Sequence, residues 1–232
     1  MTPLGEIKGV EFDGVERYAG IRYAKAPIGA LRFMAPEPVE AWDGVYDATA
    51  FGPSAPQMPP MPGAVGVQRD LVTNEDCLFL NVFTPNAEVG SRPVMVWIHG
   101  GAYTLGSGDI YDGTSFARTG DVVVVTLNYR LGALGFMAVV HIDPKFAGSA
   151  NNGIRDQIEA LRWVRANIAS FGGDPGNVTI FGESAGGGSV GAILAAPEAD
   201  GLYHKAIIES GALNFGTAAN SRTYADSVVA AL

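Results

Sequence analysis

Residues 179–189 read TIFGESAGGGS. A run of β-branched and aromatic residues leads into a serine held between glycines, and small residues follow. Gly182-Glu183-Ser184-Ala185-Gly186 fits G-x-S-x-G, a sharp strand-to-helix turn that strains the serine backbone and leaves its neighbours almost no room for side chains. Gly182, Ala185, Gly186, Gly187 and Gly188 meet that demand. The pattern is short, so its context carries the weight: NVTIF (177–181) reads as a strand, and SVGAILAA (189–196) as a small-residue helix able to pack closely on a sheet. The competing reading is a glycine-rich connection or a phosphate-binding turn. No G-x-x-x-x-G-K-[ST] pattern occurs, which weakens the nucleotide version of it.

A second stretch, VWIHGGAY (96–103), opens an apolar strand directly into two glycines and an alanine. The oxyanion of an acyl-transfer transition state must be met by preorganised backbone N–H donors, and a glycine-rich loop lets the backbone approach a substrate carbonyl. The two distant stretches supply complementary halves of one acyl-transfer site, with Ser184 as nucleophile.

Around them lie LFLNVFTP (78–85), PVMVWIHG (93–100), VVVVTLNY (122–129), NVTIFG (177–182) and KAIIES (205–210), short apolar runs of the kind expected for strands buried on both faces. Between the third and fourth, Ile154, Ile158, Leu161 and Ile168 fall on one helical face while Arg155, Glu159, Arg162 and Arg165 fall elsewhere, and Gly172, Gly173 and Pro175 end the helix. This βαβ succession predicts an α/β fold with a mainly parallel central sheet, flanking helices and a ligand site at the carboxyl ends of the strands. Before residue 84, GEIKGVEF (5–12) and VERYAGIRY (15–23) read as short strands of a small amino-terminal β region, interrupted by Pro27, Pro36 and Pro38. Residues 51–70, FGPSAPQMPPMPGAVGVQRD, have no periodicity and are expected to form a long surface loop that walls a binding cleft.

The 232 residues are 47% hydrophobic and 17% charged, enough for a substantial core. A net charge of −9 with no basic run argues against nucleic acid or an anionic membrane surface as a partner. The single cysteine, Cys77, excludes an intrachain disulfide, and its plain reading is a small, half-buried side chain. The first residues lack a basic segment followed by an apolar one, so a cytoplasmic location is expected. His, Cys, Asp and Glu do not cluster at ligand spacing, so neither metal nor cofactor is expected.

The chain resembles the type B carboxylesterase and lipase family of the α/β-hydrolase fold, which includes cholinesterases and bacterial p-nitrobenzyl esterases. The resemblance is carried, in the family's order, by YAGIRYAKAPIGALRF (18–33), NEDCLFLNVFTP (74–85), PVMVWIHGGAY (93–103), NYRLGALGF (128–136), residues 152–187 and HKAIIESGA (204–212). It implies hydrolysis of small, broad-range carboxylic esters through an acyl-serine formed on Ser184, with the N–H groups of Gly101, Ala102 and Ala185 as the oxyanion hole. Gly100 would shape the loop, Glu183 would line the cleft, and Ser210 would lie near the triad in a supporting position.

The resemblance also implies that residues 1–232 are the amino-terminal part of a single domain whose triad acid and histidine lie beyond Leu232. A serine hydroxyl near its free pKa is a weak nucleophile without a base. His99 belongs to the oxyanion-loop motif, His141 to a polar loop, and His204 to the amino end of a strand, opposite the chemistry. The absent base keeps open a second reading, an inactive fragment or a non-catalytic binding module. An edge strand at KAIIES with exposed apolar faces predicts association of the chain. The resemblance pairs Cys77 with a position occupied here by Ala55, so the family's extracellular disulfide is absent. No tryptophan occurs between Pro56 and Asp76, which disfavours choline esters.

Overall fold

The computed structural model describes residues 1–58, 71–88, 90–211 and 216–231. GEIKGVEF is two strands, not one, broken at Gly9, where a Cβ would lie 2.6 Å from the Arg17 carbonyl oxygen. β1 (Glu6–Lys8) pairs in parallel with β4 (Val45–Asp47) in a two-stranded sheet, while β2 (Val10–Phe12) joins the main sheet.

The main sheet has seven strands among the described residues. With β3 (Val15–Arg22), β5 (Phe79–Thr84), β6 (Arg92–Ile98), β7 (Val123–Leu127), β8 (Gly173–Glu183) and β9 (Lys205–Glu209), its order is β2-β3-β5-β7-β6-β8-β9. The pairs from β2 to β7 are antiparallel and those from β7 to β9 are parallel, so the α/β sheet is mixed. β5 was expected among the parallel strands because its residues are continuously apolar. It is buried along its whole length in an antiparallel setting, since an apolar run reports burial and not direction.

Helices cover the sheet unevenly. α1 (Thr114–Gly120) packs Ala117 against Val15, Phe83, Val122 and Val124 on one face. α3 (Asn152–Asn167) and α4 (Ala185–Leu194) cover the other, where Ile158, Leu161, Val164, Val190 and Ile193 meet Val94, Val96, Ile98, Val178 and Ile180. β6 and β8 therefore alternate between buried and half-buried residues instead of being buried on both faces as expected. Trp97 and Phe181, their rings 4.9 Å apart, lie on the less covered side. All five residues of β9 are exposed, including Ile207 and Ile208.

α3 follows the predicted periodicity with two differences. It closes through a tight turn over Ile168–Phe171 and a left-handed Gly172, and Gly173 and Pro175 already belong to β8. Glu159 is buried, with its carboxylate 3.0 Å from Arg162 Nη1. At the exit of β7 the fully buried Arg130 guanidinium donates to both Asp156 oxygens of α3, at 2.7 and 2.6 Å, the pairing that buried charges require. Beyond α2 (Gly132–Phe136), α5 (Ala218–Ala230) docks Ala225 onto Met137 and Val139, and His141, half-buried, holds Asp226 at 2.7 Å.

The connections place the site. From β6 the chain crosses by α1 on one face into β7, then returns by α3 on the opposite face into β8, on the other side of β6. The loops leaving the carboxyl ends of β6 and β8 lie at that switch point, where open α/β sheets bind their ligands.

Candidate active site

Ser184 stands at the end of β8, immediately before α4, with φ 56° and ψ −120°. Such a conformation is costly for a residue with a Cβ and persists only where the surroundings over-determine it. They do so here through contacts that admit no side chain. A Cβ on Gly182 would lie 2.6 Å from both the Gly186 carbonyl carbon and the Ile98 oxygen, and one on Gly187 would lie 2.8 Å from the Glu209 oxygen. The Ser184 N–H donates to the Glu209 oxygen at 2.9 Å and its C=O accepts from Gly188 N–H at 2.9 Å, so the turn is bonded to both β9 and α4. The serine is left exposed.

The loop after β6 closes on this turn. A Cβ on Gly100 would stand 3.2 Å from Ser184 Cβ and 2.7 Å from the Glu183 oxygen, so the two glycine-rich stretches lie against each other. Gly101 has φ 112°, Ala102 54° and Tyr103 60°; the Gly101 C=O accepts from Thr104 and Leu105 N–H at 3.0 and 3.1 Å. The N–H groups of Gly101 and Ala102 donate to no acceptor among the described residues. Ala185 is the first residue of α4, and its N–H is one of those a helix leaves without an intrahelical partner. Glu183 is exposed beside the loop, its Oε2 3.3 Å from the same constructed Gly100 Cβ.

The three histidines are accounted for elsewhere. His99 is buried and stacks on Tyr129 at 4.3 Å. Its Nδ1–H donates to the Gly100 oxygen at 2.8 Å, while Tyr129 O–H donates to the His99 carbonyl at 2.8 Å. Burial pushes its pKa down to about 4, so the ring is neutral in ordinary buffers. His204 sits at the amino end of β9, where its Nδ1 accepts from Val178 N–H at 3.1 Å. His141 is held by Asp226. Among the described residues no side chain hydrogen-bonds the Ser184 hydroxyl. Ser210 follows β9 with φ 50° and is exposed, its hydroxyl likewise without a partner among those residues.

A family model described as the carboxylesterase family matches residues 1–231. The chain belongs to the carboxylesterase family. It is 51% identical over 213 residues to the para-nitrobenzyl esterase of Bacillus subtilis (strain 168), covering 91% of this chain and 43% of that protein. It is 46% identical over 214 residues to the phenmedipham hydrolase of Pseudarthrobacter oxydans, covering 90% of this chain and 42% of that protein. The solved structure of a thermophilic PNB esterase superposes with a TM-score of 0.93 at 49% identity, over 99% of this chain and 47% of the other. The chain thus has the α/β-hydrolase fold of those carboxylesterases and spans less than half of their length.

Sequence reasoning missed the polar supports behind the loop after β6. Gln57 brackets Gly106, and Asn128, at the carboxyl end of β7, accepts from Gly108 N–H at 2.7 Å and donates to the Pro53 oxygen at 3.0 Å. Ser54 and Ser107 hydroxyls meet at 2.7 Å between them. The start of the 51–70 loop, the expected cleft wall, is therefore packed behind the loop after β6; its residues 59–70 lie outside the described residues. The one usable signal was a polar Asn ending an otherwise apolar strand. Cys77 is fully buried, not half-buried, and burial pushes its thiol pKa up. A groove of about 440 Å³ lined by Ile154, Arg155 and Ala192 includes none of the candidate residues. Among the described residues no helix is long and apolar enough to cross a membrane.

Proposed function

We propose that this chain carries the nucleophile and oxyanion hole of a carboxylic ester hydrolase that works through an acyl-serine. The observation that supports it best is Ser184, strained at φ 56° and exposed, with the Gly100–Ala102 backbone laid directly against it. Ser184 Oγ attacks the ester carbonyl as its proton passes to a base; the oxyanion is received by the N–H groups of Gly101, Ala102 and Ala185. Collapse expels the alcohol with that proton and leaves acyl-Ser184, and water then releases the acid and restores the hydroxyl. The relative named a para-nitrobenzyl esterase favours a small ester as substrate, and the differently named phenmedipham hydrolase favours a broad range. Gly100 shapes the loop, Glu183 lines the cleft, and Ser210 stands where a supporting hydrogen bond to the triad would form.

The acid and base are supplied by residues outside this chain, which is the amino-terminal part of a single domain. Exposed Ile207 and Ile208 on a β9 edge unpaired among the described residues, and the half-covered Trp97 and Phe181, favour association there. The absence of a histidine at Ser184 favours a second reading, a non-catalytic relative or an inactive fragment.

A fluorophosphonate probe with the wild type and Ser184→Ala, alongside p-nitrophenyl acetate hydrolysis, separates the two. Labelling that depends on Ser184 supports the nucleophile, and turnover supports an active esterase. No Ser184-dependent labelling and no turnover would leave the second reading.

A further inference from the structure

At the end of the oxyanion loop, both peptide groups of Gly106 are bonded by one side chain from a distant segment. Gly106 is buried, with φ 113°, and a Cβ there would lie 2.6 Å from the Gly100 oxygen, so the loop's two ends are packed backbone on backbone. Between them Gly101 to Leu105 form a partly exposed bow. Within that bow Tyr103 packs on the core and on Phe136, and its C=O accepts from Gly132 N–H at 2.7 Å, but the buried N–H and C=O of Gly106 at its end need partners of their own. Gln57 supplies both. Its Oε1 accepts from Gly106 N–H at 2.8 Å and its Nε2 donates to the Gly106 oxygen at 2.9 Å, with a further bond from Nε2 to the Ala55 oxygen at 3.1 Å. The backbone's own polarity fixes this orientation of the amide, because an N–H can only donate and a C=O only accept. At the other end His99 bonds Gly100, and Gly106 packs on that same imidazole.

We propose that Gln57 is a positioning residue that holds Gly101 and Ala102 in their donating conformation toward Ser184, and that it couples the 51–58 segment to the oxyanion hole. The inference rests on the esterase reading for its catalytic meaning, though not for the clamp itself. Both hydrogen bonds are required, since each satisfies one of two opposed groups of the same buried residue.

The discriminating variant is Gln57→Glu, which is nearly isosteric. Its carboxylate still accepts from Gly106 N–H but sets a second acceptor against the Gly106 oxygen; once protonated, it can donate there again. Gln57→Leu keeps volume and loses both bonds at every pH. Two readouts are taken: the rate of fluorophosphonate labelling of Ser184 relative to wild type at the same pH, and the ¹⁵N amide signals and exchange rates of Gly101 and Ala102.

At about pH 8 the expected labelling of Gln57→Glu is about tenfold slower than wild type, the deficit shrinking to about fourfold near pH 5. Gln57→Leu is slowed at both. The Gly101 and Ala102 amides move in Gln57→Leu throughout and in Gln57→Glu more at the higher pH than at the lower. Wild-type-like labelling and amides in Gln57→Glu at about pH 8, or a deficit that does not change with pH, would overturn the proposal. If the wild type itself is not labelled, the esterase reading fails and the amides decide: pH-dependent displacement in Gln57→Glu upholds the clamp, and unmoved amides overturn it.

Discussion

Gly100→Ala tests the closeness of the two glycine-rich stretches. Gly100 does not occupy the left-handed region, so alanine fits the backbone and any cost comes from contact alone. Its Cβ would meet the Glu183 oxygen at 2.7 Å and Ser184 Cβ at 3.2 Å, whereas ordinary contact begins at 3.4 Å. The loop must therefore back away from the turn by about 0.7 Å at its tightest point. Overpacking of this kind costs about 1–3 kcal/mol. For a chain of this length that corresponds to a melting temperature lowered by about 3–10 °C. The same displacement moves the N–H donors of Gly101 and Ala102 relative to Ser184, where errors approaching 1 Å cost up to about a hundredfold in rate. Thermal melts by circular dichroism and the rate of fluorophosphonate labelling measure the two effects. Gly120→Ala, whose Cβ would find its nearest neighbour at 3.5 Å, is the control and should melt like the wild type. A Gly100→Ala protein that melts and labels like the wild type would refute the reasoning, because the stretches would then not be in contact.

Three further outcomes are expected. His99 titrates near 4 when folded and near 6.5 when unfolded, so the unfolded chain binds a proton first as pH falls. Stability should decline from about pH 6.5 toward 4 by up to about 1.4 kcal/mol per unit, and urea titrations of His99→Phe should lack that component; equal slopes in the two proteins would count against it. Cys77, fully buried with its thiol pKa pushed up, should resist an aromatic disulfide reagent until guanidinium unfolds the chain, and prompt reaction in native buffer would contradict that placement. Ile207 and Ile208, 43% and 45% exposed on β9, should drive concentration-dependent association that Ile207→Lys weakens, as read by light scattering; an unaltered size distribution would place the contact elsewhere.

How far the site could be read from sequence depended on how local its physics is. The turn at Ser184 is local: a strand, a serine and small neighbours within a few residues determine it, and the structure has β8, Ser184 and α4 in that succession. The loop at Gly100 to Ala102 was legible for the same reason. Strand direction was not local. Phe79–Thr84 and Val123–Leu127 are both wholly buried apolar runs, yet β7 lies antiparallel to β5 and parallel to β6, a choice set by connections that hydrophobicity does not encode. Coverage was invisible too, because nothing in PVMVWIHG says that α1 would shield Val124 and leave Trp97 half-covered. Gln57 and Asn128 escaped notice because a lone amide acquires meaning only from the backbone groups that folding brings to it across tens of residues.

Strain, by contrast, gathers where the sequence pointed. Among the described residues eight non-glycine positions have positive φ. Ala102, Tyr103, Ser184 and Ser210, four of the eight, fall in the carboxyl-end loops of β6, β8 and β9. Asp13, by comparison, is in the two-residue turn between β2 and β3, where a left-handed residue is ordinary turn chemistry. Each of the four carries a Cβ in a region glycine would occupy more cheaply, so local preference alone would have removed them. They persist because the neighbouring glycines allow backbone to press on backbone: Gly187 on Gly211, Gly182 on Gly186, Gly100 on Glu183. The glycines and the strained residues are thus one device, in which residues without side chains hold those with side chains in conformations they would not choose. That division of labour explains why a methyl group at Gly100 is expected to act on Ser184 without touching its hydroxyl.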